Sequence, residues 1–324
     1  MTESELIGVI ASILLQASPL IIAVCGETIT ERVGVVNLSL DGTMLLSAMT
    51  GFVAAYLTDS LILGFLAAAA IGAFFALIVA FASIRLRQSQ VAVGFVLTLL
   101  GDDLSAFLGQ NYTRLPGPVV QKLSIPILAD IPILGPLLFQ QNMVFYFAIG
   151  TVIFTNWWIF RSNPGLDLRA AGERPDAAFA RGVNVQRTRY FYTMIGGALV
   201  GIAGASYSLA IKIGWSEGAT RGFGWIALAI VIFGGWSPIR GALGAILFGA
   251  TKALATLLQR AFPEVSVVAF NALPWLLMIA VLLLVSGDIT DRIVARTPER
   301  FHKTLRRILR VSPPGALGTE LVER

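Results

Sequence analysis

The sequence predicts an all-α polytopic membrane protein with about nine transmembrane helices, and three observations carry that prediction. Long apolar runs recur along most of its 324 residues, and 56% of those residues are hydrophobic while only 13% are charged. Mean hydropathy is +0.78, as expected of a chain that sits largely in lipid. The basic residues gather between the apolar runs rather than on them, the pattern that orients helices across a bilayer. A net charge of +5 and a pI near 9.7 could otherwise suggest nucleic acid, but this placement accounts for them, and no nucleic-acid partner is expected. The single cysteine, Cys25, lies in an apolar run, and the single histidine, His302, in a charged segment. These counts exclude an intrachain disulfide and argue against a His/Cys metal centre or a histidine-based catalytic site. No cofactor is expected. The first residues, MTESELIGVIAS, are acidic rather than basic, unlike a cleaved leader.

Taken in order, residues 6–25 are about one bilayer thickness of apolar sequence and form span one, since about 20 helical residues cross the hydrocarbon. The stretch GETITERVGVVNLSLDG then interrupts the apolar sequence with Glu27, Glu31, Arg32, Asn37 and Asp41. A second span resumes near Gly34 and runs to Leu57, which sets Asn37, Ser39 and Asp41 in its first turns. Polar groups there either lie at the headgroups or face a protein interior or water-filled path. Residues 61–83 form span three, rich in alanine, with Gly64 and Gly72 suited to close packing; Arg85 and Arg87 follow it. Span four, 89–108, carries Asp102 and Asp103 near its far end, where they are expected to reach the interface, the alternative being that they line a vestibule. Residues 110–142 hold five prolines and few charges, which indicates an ordered external loop. Span five, 143–160, ends in Trp157 and Trp158 like an interfacial aromatic anchor.

Residues 161–190 are a polar island with six arginines (Arg161, Arg169, Arg174, Arg181, Arg187, Arg189) against Asp167, Glu173 and Asp176, a segment that belongs in water and reads either as a solvated basic loop or as the carrier of a docking helix. Its middle carries the punctuation of a short helix: Pro175 suits a first turn, Ala177 to Ala180 follow, and Gly182 supplies a left-handed stop. About two turns of helix are marginal alone and want a docking partner. Span six is 191–211, followed by a polar connection. The apolar run 222–233 is too short for a comfortable crossing and is broken by Gly234, Gly235 and Pro238 before a span over 241–258. Such a segment, re-entrant or discontinuous, is what builds transport sites, and the polar break at 37–42 is its counterpart in the first half. Lys252 is expected to snorkel or to face the interior. The last span is 273–286, and a basic tail follows from 288 to 324. The basic segments then share one face, which the positive-inside rule makes cytosolic, with the N-terminus outside and the C-terminus inside.

No glycine precedes a lysine anywhere, so the chain has no G-x-x-x-x-G-K-[ST] phosphate loop and is not expected to hydrolyse ATP. No nucleophile–base constellation and no chain of buried acids for proton relay is apparent. The order GVVNLSLDGTMLLSA, then LRAAGERPDAAFARGVNV, then GWIALAIVIFGGWSPIRGALGAILFGA resembles the membrane permeases of ABC importers of the ribose/simple-sugar and nucleoside class. The resemblance is to the shorter of two paired permeases and covers about residues 10–286. It implies the importer-permease fold over residues 1–287 and a location in the cell (inner) membrane. Its implied partners are a cytosolic ATP-binding subunit, a second permease, an extracytoplasmic substrate-binding lipoprotein and a small-molecule substrate. It also implies that Glu173, Pro175, Ala178, Phe179 and Gly182 belong to a coupling helix docked on the ATPase. Asn37, Ser39, Asp41, Gly234 and Gly235 are the candidates for lining the path. The alternatives are an autonomous ion-coupled secondary transporter and, for the substrate, branched-chain amino acids.

Overall fold

The computed structural model describes residues 3–285 and 312–319. Among these there are helices and two isolated bridges, Thr113 with Trp215 and Lys122 with Asn142. Among the described residues seven helices are long and apolar enough to cross a membrane, and two shorter apolar helices accompany them.

Helix α1, Glu3–Arg32, is longer than expected. Its 30 residues span roughly 45 Å at 1.5 Å per residue. The polar stretch after Cys25 continues the helix because its hydroxyls satisfy themselves: Thr28 Oγ1 donates to the Val24 carbonyl at 2.7 Å and Thr30 Oγ1 to Gly26 at 3.3 Å. Gly34, at φ +95°, ends it. The Gly34 N–H bonds Glu31 O at 3.0 Å and the Val35 N–H bonds Thr30 O at 3.2 Å, the paired bonds of a Schellman stop. Helix α2, Leu40–Thr58, therefore starts later than the sequence suggests, and Asn37 and Ser39 fall in the break rather than in its first turns.

Helices α3 (Leu61–Ile84), α4 (Gln90–Gly109) and α5 (Met143–Arg161) match the expected spans. The proline-rich loop between α4 and α5 is ordered, pinned by Arg114 N–H to Trp215 O at 3.1 Å and Val120 N–H to Leu209 O at 2.9 Å. Trp158 is no free anchor: its indole donates to the Tyr192 hydroxyl at 3.2 Å. The polar island contains two helices, α6 (Asn163–Glu173) and α7 (Pro175–Ala180), of which only the second was legible. Helix α8, Val185–Ser206, begins six residues before its expected start. Asn184 caps it, Oδ1 accepting from Arg187 N at 3.0 Å. Helix α9, Phe223–Phe233, covers roughly 16 Å, about half the hydrocarbon thickness. Helices α10 (Pro238–Ala261), α11 (Val267–Asn271) and α12 (Leu273–Val285) complete the bundle. His302 and the basic residues between 288 and 311 lie outside the described residues.

Helices α2 and α8 are central: 72% and 61% of their most apolar windows are buried, against 28% for α4. In lipid, helices gain little from leaving an apolar solvent, so close packing of small residues has to hold them. A methyl added at Gly42 of α2 would meet the Thr98 carbonyl oxygen of α4 at 2.5 Å. One added at Gly72 of α3 would meet the Gly201 nitrogen of α8 at 2.8 Å.

Candidate functional site

Irregular backbone at membrane depth persists only where protein meets its polar groups. The first break, 33–39, meets that condition almost atom by atom. Val36 N–H donates to Gln90 Oε1 at 2.7 Å, and Asn37 N–H to Glu27 Oε1 at 3.4 Å. Asn37 Oδ1 accepts from the Ser39 N–H at 3.1 Å and from the Ser39 hydroxyl at 2.6 Å, closing a small Asx turn. Thr98 of α4 donates to the Leu38 carbonyl at 2.7 Å. Asn37, Ser39 and Asp41 are all buried by protein. Glu27 is fully buried on α1, and its Oε2, like Asn37 Nδ2, has no hydrogen-bond partner among the described residues.

Asp41 joins this break to the second. Only 4% exposed, its carboxylate accepts from Gly222 N at 3.1 Å and Gly224 N at 2.9 Å, the free donors at the start of α9. The N-terminus of a helix carries partial positive charge and unpaired N–H groups, so a carboxylate there is doubly favourable. A Cβ at Gly224 would collide with the Asp41 backbone, which explains glycine at that position. Just outside, Arg221 bonds Asp102 Oδ1 at 2.9 Å, and that carboxylate holds the guanidinium charged by raising its pKa. Asp102, expected at the interface, thus ties α4 to the loop that feeds α9, while Asp103 is exposed.

At the other end of α9 the chain turns through Gly234 to Trp236, with Gly235 at φ +67° and Trp236 at φ +52°. Here Arg32, the last residue of α1, reaches three ways. Its Nε donates to Trp236 O at 3.0 Å, its Nη2 to Gly235 O at 3.4 Å, and its Nη1 lies 3.7 Å from Glu173 Oε1 at the end of α6. The Trp236 indole in turn donates to the buried Glu31 carboxylate. Arg32 also stacks over the Phe160 ring at 5.5 Å. A planar guanidinium with several fixed donors suits such a junction, where an ammonium would not.

The sequence-derived residues thus fall into two groups that Arg32 connects. Asn37 and Ser39 lie in the first break, Asp41 lies in the first turn of α2 just after it, and Gly234 and Gly235 form the turn after α9. Glu173 ends α6, Pro175 opens α7 at its first position, and Gly182 closes it at φ +86°. Phe179 is 73% exposed, whereas its neighbour Ala178 is buried, so α7 presents one position to its surroundings and packs the next against the bundle. Sequence reasoning noted Arg32 without giving it a role. The signal available was an arginine closing a polar stretch within otherwise apolar sequence. A separate small cleft is lined by Gln16, Tyr207, Phe223, Phe248 and Lys252, with Lys252 Nζ 4.6 Å from the Phe223 ring centroid. Lys252 therefore faces the bundle interior, one of its two expected placements.

Residues 9–285 match the family described as branched-chain amino acid transport system / permease component. TsgC13 of Haloferax volcanii, provisionally named a glucose ABC transporter permease, is 39% identical over 251 residues, covering 76% of each chain. NupQ of Bacillus subtilis, a guanosine ABC transporter permease, is 37% identical over 255 residues, covering 74% of this chain and 79% of its own. NupC of Lactococcus lactis, a nucleoside ABC transporter permease, is 34% identical over 259 residues, covering 76% and 81%. No solved structure matches. With a match of this extent and a bundle of apolar helices, the chain belongs to this family of ABC transporter permease components and is a multi-pass protein of the cell membrane.

Proposed function

We propose that this chain is one of two unlike permeases in an ATP-driven importer of nucleosides or simple sugars, and that it takes its work from a separate ATP-binding subunit docked on α7. The observation that carries this reading is Arg32, which bonds the turn after α9 and pairs with Glu173 at the base of the α6–α7 segment. A push on α7 passes through Glu173 and Arg32 to both helix breaks, the irregular elements that change shape most cheaply. ATP binding closes the two ATPase subunits, and the docked segments follow. The path then opens towards an extracytoplasmic binding protein, and hydrolysis resets it. Differential contact of α7 with the two ATPase states supplies the bias. The α7-bearing end faces the cytosol, with the N-terminus outside, in keeping with the arginines around it.

Pairing of unlike permeases is supported by the relatives. Lactococcus has both NupC and NupB, and Haloferax both TsgC13 and TsgB13. This chain is 39% identical to TsgC13 but 24% to TsgB13. A nucleoside or sugar substrate is supported by those names. The match to LivH, named for branched-chain amino acid transport, covers only 41% of this chain.

The test is Phe179→Asp. An exposed aromatic anchor is worth about 2 kcal/mol at an interface, so affinity for the ATP-binding subunit should fall on the order of 30-fold while the chain remains in the membrane. Unchanged co-purification and unchanged uptake would remove α7 as the docking element.

A further inference from the structure

Residues 312–319 lie against the bundle where α1, α6 and α8 meet. Ala316 N–H donates to the Gly172 carbonyl at 2.8 Å, and Gly318 N–H to the Gly34 carbonyl at 3.2 Å. Gly315 N–H donates to Glu173 Oε2 at 3.0 Å. From α8, Arg189 Nη1 donates to the Thr319 carbonyl at 3.4 Å. Pro314 and Ala316 are buried, and Leu317 packs on the hydrophobic cluster shared by α1, α9 and α10. The segment holds itself in a compact turn, Leu317 N–H to Pro314 O at 3.0 Å, with Gly318 at φ +71°.

The partners explain the fit. The Gly172 carbonyl belongs to the last turn of α6, whose carbonyls have no partner within the helix, and Gly34 lies just past the end of α1. The segment brings an N–H to each. Arg189 is 1% exposed, and its Nε and Nη2 have no hydrogen-bond partner among the described residues. Thr319 O is the acceptor that meets this buried charge, and a buried guanidinium without one is costly. The segment also shares the junction described above, since Glu173 offers Oε1 to Arg32 and Oε2 to Gly315 of the segment.

We propose that residues 312–319 form an intramolecular strap that holds the base of the α6–α7 segment against the first break, and that movement of α7 reaches the breaks only while the strap is seated. Arg189 acts as a positioning residue that receives its end. The proposal rests on the coupling role of α7 given under Proposed function.

The experiment uses the complete reconstituted transporter with two variants: a chain ending after residue 311, and Ala316→Pro, which deletes the N–H that reaches Gly172. In both, molecules imported per ATP should fall about 10-fold while ATP hydrolysis stays within about twofold and the ATP-binding subunit still co-purifies. An unchanged import-to-hydrolysis ratio overturns the strap, as does loss of the ATP-binding subunit, which would place the defect in docking. Seating is read separately on full-length chains: Ser312→Cys, exposed, should react with a maleimide, and Ala316→Cys, buried, should be protected. Equal reactivity overturns the proposal even if neither functional variant assembles. Phe179→Asp run in parallel separates the two ideas, because retained docking there defeats the coupling reading whatever the strap does.

Discussion

The two helix breaks solve the same problem with opposite chemistry. The first, at 33–39, is dense in side chains that accept or donate, and neighbouring helices satisfy its backbone through Gln90, Glu27 and Thr98. The second, around Gly222 to Gly224 and again at Gly234 to Gly235, is bare, offering backbone donors at one end of α9 and backbone carbonyls at the other. Each set of bare groups is met by a charged residue from the first half of the chain: Asp41 meets the donors, and Arg32 meets the carbonyls. The difference teaches that α9 is not held by its own sequence. Its two ends are held by residues on either side of the first break, so the breaks must move together.

The largest effect expected from breaking that arrangement is at Asp41. Asp41→Ala leaves two buried N–H groups without an acceptor, and hydrogen bonds to a charged group are worth about 1.5–3 kcal/mol each. Stability should fall by about 3–5 kcal/mol, read as a lowered melting temperature of the purified protein in micelles, with uptake abolished. A melting temperature within error of the parent would show that the bridge is not made. Asp41→Asn sharpens the comparison: its single amide oxygen can serve one donor well, so roughly half of that loss is expected. Away from the breaks, the effect should be smallest. Lys252→Met removes a partly desolvated cation–π contact, so stability should fall by about 0.5–2 kcal/mol, read as a small drop in melting temperature, and an unchanged melting temperature would show that the contact is not made.

What the sequence made legible follows the range of the interactions involved. Pro175 and Gly182 mark α7 because proline and glycine act on their own backbone. The shortness of α9 and the break after it were equally local. Helix α6 was missed although Ser162 and Pro164 announce it: the run of arginines suggested a solvated loop, while Ser162 Oγ accepts from Gly165 N at 3.0 Å. Glu27 and Glu31 were read as ending the first span, because polarity alone does not tell a loop from a buried helical turn. What decides is Trp236, about 200 positions along, together with Asn37. Arg189 was read as one more solvated arginine, and its partner Thr319 is 130 positions away. Distant pairings of this kind leave no periodicity to find.

The central claim is that Arg32 carries force between the coupling segment and the breaks. It is tested most directly by Arg32→Met in the reconstituted transporter, with import and ATP hydrolysis measured on the same vesicles. The account predicts that molecules imported per ATP fall about 10-fold, a coupling free energy near 1.4 kcal/mol, while hydrolysis and subunit composition stay as in the parent. An unaltered ratio, or import and hydrolysis declining in step as the complex falls apart, would contradict it.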